Sequence, residues 1–215
     1  MTKQVIIIAI ILTAVGLGAL ASFLIITELS APQESREVDE HHHSSNTTTH
    51  TFSKPNPAPE FTLISQDNET FRLKDLRGKV VLITFIYTRC PDVCPILTDK
   101  FKRIQDELGE KFGKTVFMIS ITIDPEYDRP AVLRQYAERF GADLSGWAFL
   151  TGDKEDITEV AKSYGIYFKE ESPGLFTHTV LTFLVNEDGQ IVKVYAGAYY
   201  SVNEVLHDIN ELLES

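Results

Sequence analysis

Two stretches restrict the fold before any other feature does. Val80–Thr88 reads VVLITFIYT and Thr115–Ile123 reads TVFMISITI, both rich in β-branched and aromatic residues and free of charge. Such runs fit strands covered on both faces, as parallel strands are in a layered α/β protein. Between them Leu97, Phe101, Ile104 and Leu108 recur at helical spacing, and Gly109 closes the segment. Strand, helix and second buried strand make a parallel crossover. The alternation continues downstream. Val132, Leu133, Tyr136, Ala137 and Phe140 form a helix face ended by Gly141, and Ala148–Leu150 is a short strand. Ile157, Val160, Ala161 and Tyr164 line another helix, with Asp153 as its cap. Thr179–Val185 and Ile191–Tyr195 flank NEDGQ, a hairpin signal through Asp188-Gly189. Ser201 and Glu204 fit a capping box before a last helix carrying Val205, Leu206, Ile209, Leu212 and Leu213. Phe61–Ile64 and Thr70–Leu73 read as a small hairpin in front. The expected fold is α/β, a central mixed sheet with helices on both faces and antiparallel strands at one edge.

The N-terminal part is of a different kind. After Lys3, an uncharged apolar run extends from Val5 to Ile26, enough for the ~20 residues that cross a hydrocarbon core. Lys3 before it, with Glu28 and Glu34 after it, orients the N-terminus to the cytoplasm and the rest outside. Residues 1–29 are therefore expected to be a single-pass membrane anchor, with cleavage near Ala19-Leu20-Ala21 as the alternative. No cysteine lies near the run for lipid attachment. Residues 30–56 are polar and proline-bearing without a periodic apolar face, and read as a disordered tether. The globular domain is placed at residues 57–215. A net charge of −11 excludes a nucleic-acid binder, which needs clustered Lys and Arg to neutralise phosphates.

Both cysteines of the chain stand in TRCPDVCP, Thr88–Pro95, between the first long strand and the first helix. Loops at the carboxyl ends of parallel strands carry the chemistry of such sheets, and a helix N-terminus favours thiolate over thiol. Three uses are open: a structural disulfide, thiol–disulfide exchange, or a soft-metal site. A disulfide needs Cβ atoms about 3.5–4.5 Å apart, whereas residues four apart on a regular helix stand about 5–6 Å apart. The loop must depart from helix to close a disulfide, while two thiolates on one ion tolerate the wider gap. A third ligand would come from histidine. His41, His42, His43 and His50 lie in the tether, where they read as spacer or weak metal capture, and His207 reads as a surface residue. His178, in SPGLFTHTVLTF at the mouth of a strand, is either a structural residue or a ligand. Asp124 and Asp128 read as a turn or as support for the site, and Asp92 as a turn residue.

The motif TRCPDVCP resembles the signature of the Sco family, which assists assembly of cytochrome c oxidase. The resemblance continues in ISITIDPEYD, Ile119–Asp128, and in THTVLTFLVNEDGQIV, and covers most of Pro59–Ser215. It implies a thioredoxin-like fold behind a membrane anchor and copper ligands at Cys90, Cys94 and His178. It also implies a copper metallochaperone, which the orientation of the anchor places on the extracytoplasmic side of the cell membrane, and the lack of an Arg-rich transit segment favours a bacterial over a mitochondrial setting. The implied client is the copper site of cytochrome c oxidase subunit II, with another copper chaperone or a thioredoxin-like reductant as further partners. The rival role is a thiol–disulfide oxidoreductase that reduces client cysteines through the redox pair Cys90 and Cys94. A thiol peroxidase activated by Arg89 is a more distant alternative. One departure stands out: the family commonly has Asp immediately before the histidine, where this chain has Thr177. That change is expected to alter copper affinity or redox behaviour if the Asp orients the imidazole.

Overall fold

The computed structural model describes residues 49–51 and 56–214. The apolar run at Val5–Ile26 and the histidines 41–43 lie outside them. Among the described residues, no helix is long and apolar enough to cross a membrane.

Among the described residues, ten strands and four α-helices follow one another. The strands are β1 Thr49–Thr51, β2 Thr62–Ser65, β3 Thr70–Arg72, β4 Val80–Ile86, β5 Val116–Thr122, β6 Trp147–Thr151, β7 Phe168–Ser172, β8 Leu175–His178, β9 Leu181–Val185 and β10 Ile191–Ala196. The helices are α1 Val93–Leu108, α2 Pro130–Arg139, α3 Lys154–Ser163 and α4 Val202–Glu214. Eight strands form one mixed sheet in the order β1-β10-β9-β4-β5-β6-β2-β3, and β7 pairs only with β8 in a separate hairpin.

The two long apolar runs become its centre. β4 is buried at every residue and pairs in parallel with β5 from Val80↔Val116 to Ile86↔Thr122. β6 adds in parallel to β5, and β9 runs antiparallel to β4. Register fixes the two faces, because partners directly across a ladder share one. Phe85 aligns with Ile121, which aligns with Leu150, so Phe85 and Leu150 share a face. Trp147 and Phe149, three and one residues before Leu150 on β6, point to the other. Phe101 of α1 and Tyr136 of α2 pack on Trp147 and Phe149, at ring separations of 5.6 and 6.1 Å. Tyr164, at the end of α3, packs on Phe85 and Phe183 of the opposite face, at 5.7 and 5.1 Å. Helices on both faces therefore follow from the crossover rule applied to sequence-legible strands.

Four details differ from the sequence reading. Thr49–Thr51, inside the span read as tether, pairs antiparallel with β10 at Thr49↔Tyr195 to Thr51↔Lys193. Asp153 occupies the N-cap position of α3 but makes no side-chain capping bond. Glu204 accepts a hydrogen bond from the Thr49 hydroxyl at 3.1 Å and faces Lys193 at 3.6 Å, tying α4 to β1 and β10. The β7–β8 hairpin, turning at Pro173-Gly174, is not among the expected elements.

Candidate thiol and metal site

The sheet delivers the cysteines to one edge. β4 ends at Ile86, and Tyr87–Asp92 lead into α1. Cys90 therefore lies outside the helix and Cys94 within its first turn. The helix begins with N–H groups that have no intrahelical acceptor. One of them, on Cys94, donates to the Cys90 sulfur at 3.4 Å, so the first cysteine serves as acceptor at the helix start. Cys94 is wholly buried and Cys90 is 8% exposed. Both are free thiols. Hydrogen bonding from the Cys94 thiol, with the N–H groups of Cys94 and Asp92, holds Cys90 well below the ordinary thiol range. The same bond to Cys90, with burial, pushes Cys94 up. One sulfur is thereby a thiolate near neutrality and its neighbour keeps a proton for it.

The loop is anchored from β5. The Thr88 backbone N–H donates to the Asp128 carboxylate at 3.0 Å, the Thr88 hydroxyl donates to it as well, and the Thr122 hydroxyl donates at 2.6 Å. Asp128 is completely buried, and burial raises its pKa against the pull of these donors. Arg89 donates through Nε and Nη2 to one oxygen of Asp124, at 3.1 and 2.6 Å, and lies 4.1 Å from the centre of the Tyr127 ring. Its guanidinium is thus committed to Asp124. Asp124 and Asp128 also build the turn foreseen for them, through the Asp128 N–H on the Asp124 carbonyl at 2.8 Å. Asp92 is an exposed residue at the start of α1.

His178 arrives on the β7–β8 hairpin. Its Nδ1 lies 2.9 Å from the Thr179 carbonyl, an acceptor, so Nδ1 carries the proton and Nε2 presents its lone pair. Nε2 stands 3.9 Å from the Cys94 sulfur. Burial lowers the His178 pKa and keeps the ring neutral. Thr179 is fixed in turn, its N–H donating to the Tyr167 carbonyl at 2.8 Å. The Asp expected to precede the histidine would fall at Thr177, which is exposed on the opposite side of β8 and lies across from Lys169. Orientation of the imidazole comes here from the Thr179 carbonyl. His207 is exposed on α4, 3.5 Å from Glu211, and His50 is exposed on β1.

The sequence reading missed Tyr87. Its buried hydroxyl donates to the Phe176 carbonyl at 3.2 Å and accepts from the Phe176 N–H at 3.3 Å. Burial raises its pKa to about 12, so it remains a phenol. A tyrosine at the end of a fully buried strand signals a hydroxyl in need of partners, although the partner cannot be read locally.

Among the described residues, no three His, Cys, Asp or Glu side chains already converge as a closed metal site. The separation of Cys94 from His178 is nonetheless that of two donors on one ion. With bonds of about 2.3 Å to sulfur and about 2.0 Å to nitrogen, a trigonal centre separates them by about 3.8 Å. Two sulfurs and an imidazole nitrogen suit a soft ion, and a thiolate beside a protonated thiol equally suits disulfide exchange.

The SCO1/SenC family model matches residues 49–214. The chain belongs to the SCO1/SenC family. "Protein sco1" of Schizosaccharomyces pombe is 32% identical over 152 residues, covering 67% of this chain and 57% of that protein. This chain spans about half the length of the first curated relatives it matches. Arabidopsis thaliana ScoI, solved with copper bound, superposes with a TM-score of 0.65 at 29% identity, over 73% of this chain and 98% of that one. BsSco, a Sco protein of cytochrome c oxidase assembly in which a disulfide switch was identified, gives 0.66 at 29%, over 76% and 96%. The SCO1/SenC chain thus has the thioredoxin-like fold that its motifs implied.

Proposed function

We propose that this protein is a copper-binding factor in cytochrome c oxidase assembly, holding the ion between the thiolates of Cys90 and Cys94 and Nε2 of His178. The observation that carries the reading is the 3.9 Å approach of His178 Nε2 to Cys94 across 84 positions of sequence. The copper-bound relatives support the choice of ion, and the relation to cytochrome c oxidase assembly proteins supports the process. Copper is cargo. The loop and hairpin hold two soft donors and one neutral nitrogen at the carboxyl end of β4, for a client's ligands to replace in turn. Cys90 would supply its sulfur by turning away from the Cys94 N–H whose hydrogen bond it accepts. Residues 1–29 act as the membrane anchor and 30–48 as the tether, with the domain on the extracytoplasmic side and oxidase subunit II as the client.

The contrast between the two sulfurs favours a second role in the same process. The Cys90 thiolate attacks a client disulfide, bonding to one client sulfur and releasing the other. Cys94 then gives its proton to the leaving client thiolate and closes on Cys90. The client gains two electrons, this protein becomes the disulfide, and an external dithiol must restore it. One comparison separates the roles. In His178→Ala, copper(I) affinity measured against a chelator is expected to fall by at least tenfold, with exchange on a model disulfide retained. Unchanged copper affinity with lost exchange would overturn the carrier reading.

A further inference from the structure

Among the described residues, the hairpin that carries His178 pairs with no strand of the main sheet. A lone two-stranded hairpin is marginal in water. Its attachment beside the thiols therefore decides how firmly the nitrogen donor is held. Two of its fastenings come from Tyr87 and Arg89, at the start of the cysteine loop.

The first is the Tyr87 hydroxyl. It donates to the carbonyl and accepts from the N–H of the same residue, Phe176, two positions before His178. A strand neighbour would satisfy Phe176 in the same double fashion. The phenol thus stands in for a missing strand on the open edge of β8, and the Tyr87 ring packs edge-on to Phe176 at 5.2 Å and to His178 at 6.0 Å. The second is Arg89, beside Cys90. Gly174, in the hairpin turn, has φ +78°, and a Cβ there would lie 2.5 Å from the Arg89 Cζ. The turn therefore rests its backbone directly on the guanidinium, which only glycine permits. Arg89 cannot readily yield, because Asp124 and the Tyr127 ring hold it from the other side.

We infer that Tyr87 and Arg89 are positioning residues that latch the β7–β8 hairpin onto the cysteine loop, so that His178 meets the thiols only while both contacts hold. The inference rests on the copper reading for its purpose but not for its test. The latch ties the nitrogen donor to the loop that carries the sulfur donors. A client that displaces the loop would loosen both together, which suits a carrier that must release its ion.

The test uses the full chain and the variants Tyr87→Phe, Arg89→Ala and the double variant. The first readout is amide hydrogen exchange over residues 168–178 in the metal-free protein, with β4 and β5 as internal reference. Exchange in the hairpin is expected to quicken by about tenfold in each variant and further in the double, with the central strands unchanged. Unchanged hairpin exchange, or an increase shared equally by β4 and β5, overturns the latch. The second readout is copper(I) affinity against a chelator, with and without His178→Ala. That substitution is expected to weaken binding by at least tenfold in the latched protein and by less than threefold in the double variant. Equal loss in both backgrounds overturns the latch. No loss in either overturns the copper reading, while the exchange data still decide the latch.

Discussion

At the scale of single residues, the site depends on one buried carboxylate that never touches the proposed cargo. Asp128 takes three hydrogen bonds from Thr88 and Thr122 and so fixes the start of the cysteine loop against β5. Asparagine keeps one oxygen but places an NH2 group against the Thr88 hydroxyl, which must turn to accept one N–H and leaves the other buried. Asp128→Asn is expected to lose about 1–3 kcal/mol of stability in urea unfolding. Burial raises the Asp128 pKa in the folded state, so the folded chain binds this proton more tightly than the unfolded chain does. The corresponding stability is present below the ordinary carboxylate pKa and is lost as pH rises through the raised folded value. The gap between wild type and Asp128→Asn should therefore be widest in acid and narrow as pH rises. A gap that widens with pH would mean that Thr88 and Thr122 outweigh burial and that the ionised form is the favoured one.

At the scale of elements, legibility follows how much of an element's identity is local. β4 and β5 were readable because burial on both faces leaves a continuous apolar run, and α1 because Leu97, Phe101, Ile104 and Leu108 keep helical spacing. The β7–β8 hairpin was not, because only alternate residues turn inward and FKEES presents mostly charge. The cysteines announced themselves by rarity and spacing, while the tie to His178 came from a resemblance that the coordinates then supplied with a distance. Tyr87, Arg89 and Gly174 were invisible in their roles, because each is defined by a partner in another element. The alternation of β8 also decides the Thr177 question. His178 faces the thiols, so Thr177 faces solvent beside Lys169. Thr177→Asp is expected to change copper(I) affinity by less than about threefold, as surface changes remote from a site usually do. A tenfold gain would show that an acid at this position acts on the imidazole after all, through movement of the hairpin.

At the scale of the whole molecule, the main sheet has one outer edge closed by three residues. β1 covers β10, and behind that pairing lies a cluster that joins β10 to α4. Lys193 and the Tyr195 hydroxyl both meet the Asp208 carboxylate at 2.5 Å, and Glu204 links Lys193 to Thr49. Tyr195 and Asp208 are buried, so their mutual satisfaction fixes α4 whether or not β1 is present. β1 contributes differently, by occupying backbone groups that an uncovered edge would offer to other chains. A soluble domain begun at Pro57 is therefore expected to fold with its thiol reactivity intact. Compared with one begun at Thr49 it should melt a few degrees lower, the shift that about 1 kcal/mol produces in a domain of this size. It should also self-associate as concentration rises. Equal melting temperatures and equal monodispersity in the two would show that the three-residue strand neither stabilises nor shields the sheet, and would return residues 49–51 to the tether.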